Sequence, residues 1–362
     1  MIKVLTVIGT RPELIKLSEI IKKLDKLTKH TLAHTGQNFT KELNGIFFSD
    51  LKLRKPDFYF NCREKTSIKN ISKILINTEN LIKKINPDAF VVYGDTDSCL
   101  SALAAKKYGI PIFHLEAGNR CFDERVPEEI NRKIVDHISD YNFPISNIAR
   151  AYLIDENIKK NTIFRLTSTM FEVIEQNKFK IENSKILKKL KLTKDNYFLM
   201  SIHRKENIKY HLSEIINSIK KISKTFKKKI IISCHPTFSS QLKIKKIRLN
   251  EKIILAKPFA FTDYCFLQKN ALIVISDSGT ISEEASILKL KAINFRNTHE
   301  RPEAMEEGSA IMSGMSSKNL IEIINLIKNK NKYLNNNPVK EYFDKNVSGK
   351  FIRILLSHFH LK

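Results

Sequence analysis

Short apolar runs, each followed by a longer stretch of helical period, divide this chain into two consecutive series. The first series is KVLTVI (3–8), HTLAHT (30–35), AFVVYG (89–94), IPIFHLE (110–116) and NTIFRL (161–166). The second is YFLMSI (197–202), KIIISC (229–234), KIILA (252–256), ALIVIS (271–276) and LKAINF (290–295). Helical period is clearest over 12–28, 68–85, 210–226 and 316–329. Strand-length runs rich in Val, Ile and Phe that alternate with helices demand βα units and parallel sheets. A lysine-rich helical stretch at 172–192 separates the series. The crossing falls there, so two Rossmann-like α/β domains are expected, 1–168 and 169–344, each long enough to bury a core. The amphipathic segment VSGKFIRILLSHFH places residues 345–362 back on the first domain.

The polar clusters carry the next constraint. GTRPE follows run 3–8, GDTDS follows 89–93 and EAGNR follows 110–115. HRKEN follows 197–202, HPT follows 229–234 and SDSGT follows 271–275. Ligands of open parallel sheets bind outside the carboxyl ends of the strands. Two sheets facing a common cleft would gather all six clusters. Polar residues end strands everywhere, but that alone does not account for the recurring Arg, His, Asp and Glu.

Within GTRPELIK, Thr10 and Glu13 fit a capping box and Pro12 suits a helix start. Arg11 then has no capping task, and a cation near the positive end of a helix dipole asks for an anion, with Lys16 a turn further on. In SDSGTISEE, Thr280 and Glu283 fit a second capping box, which leaves Glu284 to project from the first turn. Ser278, Gly279 and Thr280 are placed to receive phosphates, and Glu284 to accept hydrogen bonds from the vicinal hydroxyls of a ribose. A nucleoside diphosphate compound is implied. There is no GxGxxG and no Walker lysine pattern, so a dinucleotide cofactor or ATP fits poorly.

Asp95 and Glu116 end apolar strands, and partly buried carboxylates in such places are commonly acid–base groups. Glu128 follows Pro127 at a helix start, where a dipole alone can explain an acid. His203 and His235 also end strands, each as readily a core histidine as a ligand-facing one, and their spacing is not that of metal ligands.

Composition removes several classes. The net charge of +25 is mostly lysine on solvated faces, without the interleaved aromatics of a nucleic-acid groove, and it suits an anionic small ligand. No apolar run reaches the roughly 20 residues of a membrane span. Five scattered cysteines without a CxxC pair, and an N-terminus without a signal-peptide pattern, point to a reducing, cytoplasmic setting.

In order and spacing, VLTVIGTRPELIK, GDTDS, HLEAGNR, VPEEINRKIVDH, SIHRKEN, SDSGTISEEA and HERPEAMEEG resemble the non-hydrolysing UDP-N-acetylglucosamine 2-epimerase family over nearly the whole chain. HTGQNF, EAGNRCFDERVPEE and NTHERPEAMEE are most similar to the branch acting on UDP-2-acetamido-2,6-dideoxy-β-L-talose, which supplies UDP-N-acetyl-L-fucosamine for capsule or O-antigen. The resemblance implies a glycosyltransferase-B-type fold, no cofactor or metal, and a homodimer. It implies Asp95, Glu116 and Glu128 as catalytic carboxylates, with His203 and Arg11 near the diphosphate. It further implies Lys16, Gln37, Asn38, His235, Ser278, Gly279, Thr280, Glu284 and Arg301 in the substrate and nucleotide site, and Phe261 and Tyr264 around the uracil. One departure is TST (167–169), where the family carries a glycine-containing turn before the domain crossing.

The chemistry asks for such a set. The C2 hydrogen of a UDP-2-acetamido sugar is not next to a carbonyl, so its removal requires UDP to leave C1 in the same elimination, producing a glycal. Cations and helix-end N–H groups must take the diphosphate, and acid–base groups must serve both faces of C2. A UDP-sugar glycosyltransferase on the same fold is the competing enzyme class, and a basic nucleic-acid-binding protein the competing non-enzyme.

Overall fold

The computed structural model describes residues 1–36, 41–64, 66–234, 236–329 and 337–360. The chain forms two compact units, Met1–Gln176 with Glu341–Lys362, and Asn177–Lys340. The first unit holds six parallel strands: β1 (Lys3–Ile8), β2 (Lys29–His34), β3 (Phe58–Tyr59), β4 (Ala89–Tyr93), β5 (Ile112–Leu115) and β6 (Tyr141–Phe143). Their order is β3-β2-β1-β4-β5-β6. The second unit holds β7 (Tyr197–Ile202), β8 (Lys229–Cys234), β9 (Ile253–Ala256), β10 (Ile273–Ser276), β11 (Ala292–Asn294) and β12 (Ile311–Met312), in the order β12-β11-β10-β7-β8-β9. Counted within its own unit, each sheet has the doubly wound order 3-2-1-4-5-6. The expected pair of Rossmann-like domains is therefore present. In each, the order reverses between the first and fourth strands, where ligands of such sheets bind.

Fully buried strands explain the continuous apolar runs: every residue of β4, β5, β7 and β10 is buried. In the first unit Leu5, Val7, Phe90, Val92 and Ile112 pack beneath Leu81 and Ile82 of the helix Ser67–Ile85. In the second, Ile230, Ile232, Ile273 and Ile275 meet Ile215, Ile219 and Ile222 of the helix Leu212–Phe226.

Three differences from the sequence reading have physical causes. The run 161–166 is no strand: Lys160–Thr162 is a single 3-10 turn, and Ile163 makes one isolated bridge to Asn142 at the sheet edge. Strands β3, β6 and β12 went unseen because two or three residues carry no measurable period. The helix Thr169–Gln176 packs on the helix Arg11–Leu27 and belongs with the first unit, so that unit runs past residue 168. The helix Val347–His360 also lies in the first unit. There Ser348 bonds Glu172 through its N–H (2.8 Å) and its hydroxyl (2.5 Å), and Phe351 meets Phe113 and Phe143 edge-on. Among the described residues no helix is long and apolar enough to cross a membrane.

Candidate active site

In each unit a buried carboxylate ties together the loops on either side of the switch point. In the first it is Glu13, one turn into the helix that follows β1. Its side chain accepts the N–H of Gly9 (2.6 Å) and Thr10 (3.4 Å), the backbone side of the expected capping box. It also accepts the hydroxyls of Thr96 and Ser98 from the loop after β4. Burial raises the Glu13 carboxyl above its ordinary range in spite of these donors. In the second unit Asp277, directly after β10, accepts the N–H of His203 (2.9 Å) and Arg204 (3.1 Å) from the loop after β7, and Asn207 Nδ2 at 3.3 Å. Burial again raises the carboxyl.

Above the first junction lie the carboxylates expected from sequence. Glu116, 6 % exposed, follows β5 with a left-handed backbone (φ 61°), a conformation few residues other than glycine accept. Its Oε2 accepts Lys16 Nζ at 2.5 Å and the Tyr93 hydroxyl at 2.8 Å. Its Oε1 lies 4.0 Å from Arg132 Nη2, and the same nitrogen binds Asp95 Oδ2. Asn131 holds the Asp95 carbonyl at 2.9 Å. Two cations thus face two carboxylates. Glu128, half-buried, lies in the first turn of the helix Pro127–Ile138, three and four residues before Asn131 and Arg132 and so on their face.

A second buried cluster shapes the loop that carries Glu116. Asp136 accepts the Gly118 N–H and pairs with His114 (3.0 Å) and Arg120 (2.7 Å), while Arg120 also grips Glu156 at 2.6 Å. Burial alone would raise the Asp136 carboxyl, but His114 and Arg120 outweigh it and the net shift is downward. At Gly118 (φ 79°) an added Cβ would overlap the Ala149 carbonyl oxygen, so only glycine closes this turn.

The second unit presents a turn in place of an acid cluster. The Ser278 and Thr280 hydroxyls are 3.0 Å apart ahead of the helix Ile281–Leu288. A Cβ on Gly279 would stand 3.4 Å from Glu300 Oε2, 3.8 Å from Arg296 Nη1 and 3.9 Å from Arg204 Nη2. The two guanidiniums share Glu300 Oε1, at 2.6 Å from Arg204 and 2.8 Å from Arg296. A glycine flanked by hydroxyls and arginines at a helix start is well made for phosphate oxygens.

Two sequence expectations are revised here. The Thr280 side chain makes no cap bond; its hydroxyl instead donates to Glu284 Oε1 at 3.0 Å, and Glu283 pairs with Arg301 at 3.0 Å. Glu284 does not simply project from the helix, since Gln268 Nε2 also reaches it, at 2.5 Å. Lys16 is directed to Glu116. Arg11 is half-buried at the helix start, its guanidinium 5.7 Å above the Phe47 ring. His203 is half-buried beside Asp277. Phe261 is buried at the start of the helix Phe261–Asn270, and Tyr264, a turn on, has its phenol pushed up by burial and bonded to Ser201. Gln37, Asn38 and His235 lie outside the described residues. Sequence reading passed over Tyr93, Arg132, Asp136, Arg204, Asp277 and Arg296. Arg204 and Asp277 stand inside the strand-end clusters HRKEN and SDSGT, and Arg132 stands four residues after Glu128 on the same helix face.

Two doubly wound parallel sheets, one with a carboxylate cluster and one with a phosphate-ready turn at the switch point, define a two-domain α/β enzyme of the glycosyltransferase-B type. The family model for UDP-N-acetylglucosamine 2-epimerase matches residues 22–356, and the chain belongs to that family of isomerases. It is 38% identical over 339 residues to the UDP-N-acetylglucosamine 2-epimerase of Methanocaldococcus jannaschii, covering 91% of this chain and 93% of that one. The structure of UDP-N-acetylglucosamine 2-epimerase from Rickettsia bellii is 47% identical, with a TM-score of 0.91 over 99% of this chain and 96% of that one. The M. jannaschii enzyme in complex with UDP-GlcNAc and UDP also gives 0.91, at 36% identity, over 98% of this chain and all of that one. MurG from Acinetobacter baumannii, 11% identical with a TM-score of 0.53 over 98% of this chain and 99% of that one, shares the fold alone.

Proposed function

We propose that this enzyme inverts C2 of a UDP-2-acetamido sugar by eliminating UDP to a glycal and adding it back. The observation that carries this reading is the set Asp95, Glu116, Lys16 and Arg132, two carboxylates held against two cations at the ends of neighbouring strands. A carboxylate removes the C2 proton as the C1–O bond breaks, and the electron pair of the C–H bond becomes the C1=C2 bond. UDP departs with the C1–O pair. Arg11, His203 and the 278–280 turn, with Arg204 and Arg296 beside it, are the groups assigned to the diphosphate. Protonation of the glycal on its other face and return of UDP complete the inversion, which is why more than one acid–base group is needed. Glu128 is assigned to that set. Glu284, with Phe261 and Tyr264, is assigned to the uridine, the carboxylate exchanging Thr280 and Gln268 for ribose hydroxyls.

The favoured substrate is UDP-2-acetamido-2,6-dideoxy-β-L-talose, giving UDP-N-acetyl-β-L-fucosamine for surface polysaccharide; the stretches EAGNRCFDERVPEE and NTHERPEAMEE support this. The second reading, UDP-N-acetylglucosamine, is favoured by the names of the relatives at 38% and 47% identity. Incubation of each UDP-sugar in deuterium oxide, with C2 label and epimer ratio read by NMR, separates them. Label in neither sugar, or product only when an acceptor is added, rejects the epimerase reading. Cysteine usage favours a cytoplasmic setting and the resemblance a homodimer, for which light scattering is the direct measurement of subunit number.

A further inference from the structure

We propose that Tyr93 is a positioning residue for the C2 proton transfer, its hydroxyl fixing the plane of the Glu116 carboxylate that meets the hydrogen. The inference rests on the epimerase reading above and deepens it. Tyr93 ends β4 and Glu116 follows β5. The paired strands match Tyr93 with Leu115, and the Gly94 N–H bonds the Leu115 carbonyl at 2.9 Å. The tyrosine and the glutamate are therefore held in fixed register by the sheet. Tyr93 is 4 % exposed, and a phenylalanine would fill the same volume, so the hydroxyl is the feature that needs a reason. It donates to Glu116 Oε2 at 2.8 Å, the oxygen that Lys16 reaches at 2.5 Å. Lys16 Nζ also stands 5.6 Å from the Tyr93 ring centroid, so the ring face steadies the ammonium.

Groups facing Glu116 include Lys16 from the helix after β1, Tyr93 from β4, and Arg132 from the helix Pro127–Ile138 with Asp95 bound to it. Lysine supplies charge, but its flexible stem does not fix a carboxylate plane. The rigid phenol does, against a backbone already turned to φ 61°. With both donors on Oε2 the plane of the carboxylate is set, and the proton leaving C2 passes to that oriented group. The carbon–hydrogen pair becomes the C1=C2 bond, and the C1–O pair leaves with UDP. On the return path the same atoms run in reverse.

The test is the pH profile of C2 deuterium exchange. In Tyr93→Phe the carboxylate loses a hydrogen bond to its charged form and becomes easier to protonate. The acid limb of kcat should move to higher pH by about one unit, with KM within about twofold. Incorporation of 3-fluorotyrosine at position 93, a stronger donor with the same packing, should move the limb to lower pH and keeps the question answerable if the phenylalanine variant folds poorly. An even loss of kcat at every pH, or a limb unmoved by both changes, overturns the role of Tyr93 alone. A wild-type enzyme that exchanges no C2 hydrogen overturns the epimerase reading and this one with it.

Discussion

The two switch points are built on one plan and furnished differently. Each has a buried carboxylate whose burial raises it and which takes donors from the neighbouring strand's loop. In the first unit it belongs to the β1 side, Glu13, and reaches toward β4; in the second it belongs to the β10 side, Asp277, and reaches back to β7. On the first junction stand Asp95 and Glu116, each against a cation; on the second stand a hydroxyl-rich turn and two arginines that share Glu300. The fold thus supplies two equivalent platforms; in the proposed roles the acid–base carboxylates stand on the first, and the diphosphate groups other than Arg11 on the second.

That division can be broken at several points. The largest effect is expected from Asp95→Asn, which should lower C2 exchange about 10³-fold, within the usual range for an acid–base group, while UDP affinity by calorimetry holds within about threefold. Near-normal turnover would remove Asp95 from the chemistry. Next comes Asp277→Ala, which leaves the His203 and Arg204 N–H groups without their acceptor and should cost about 3 kcal/mol in urea unfolding. An unchanged midpoint would mean that the junction is not held by this carboxylate.

Arg204→Ala should then weaken UDP binding about tenfold through loss of one charged hydrogen-bond donor. If it lowered C2 exchange by orders of magnitude with UDP affinity intact, the proposed division of roles would fail.

The pH dependence of stability sharpens the comparison further. Asp277 is raised in the folded state, so folding binds the extra proton and stability falls as pH rises from the unfolded carboxyl range toward the folded value. Asp136 is lowered, so its contribution is complete above the unfolded value and is lost as pH falls through the folded one. Urea titrations of Asp136→Asn should therefore lose acid sensitivity below about pH 4. Equal acid sensitivity in this variant and in wild type would reject that assignment.

The smallest effect concerns Thr167. Its left-handed backbone (φ 82°) stands within the TST stretch, where the family carries a glycine turn, and its buried hydroxyl has no hydrogen-bond partner among the described residues. Thr167→Gly should stabilise by about 1 kcal/mol. A destabilised variant would show that the strain is compensated nearby.

Much of this was legible beforehand because periodicity and strand-end polarity are local properties. Long buried strands such as YFLMSI announce themselves; a two-residue strand such as Phe58–Tyr59 does not. Thr10 and Glu13 matched the sequence signature of a capping box, and the bond from the Thr10 N–H to Glu13 is present. Thr280 and Glu283 matched it equally well, but Arg301, eighteen residues on, took Glu283 instead. The same limit applies to Tyr93 and Glu116, whose twenty-three-residue separation is closed only by the sheet. What local pattern cannot show is which distant cation or hydroxyl each carboxylate will meet.

The helix Val347–His360 has a consequence for how the protein is made. Phe351 has no solvent exposure and completes the aromatic cluster around Phe113 and Phe143, yet it is synthesised after every residue of the second unit. The first unit therefore cannot complete its core until residues that follow the whole of the second unit have been made. Until then the apolar face around Phe113 and Phe143 lacks its cover, and exposed apolar surface of that kind favours aggregation.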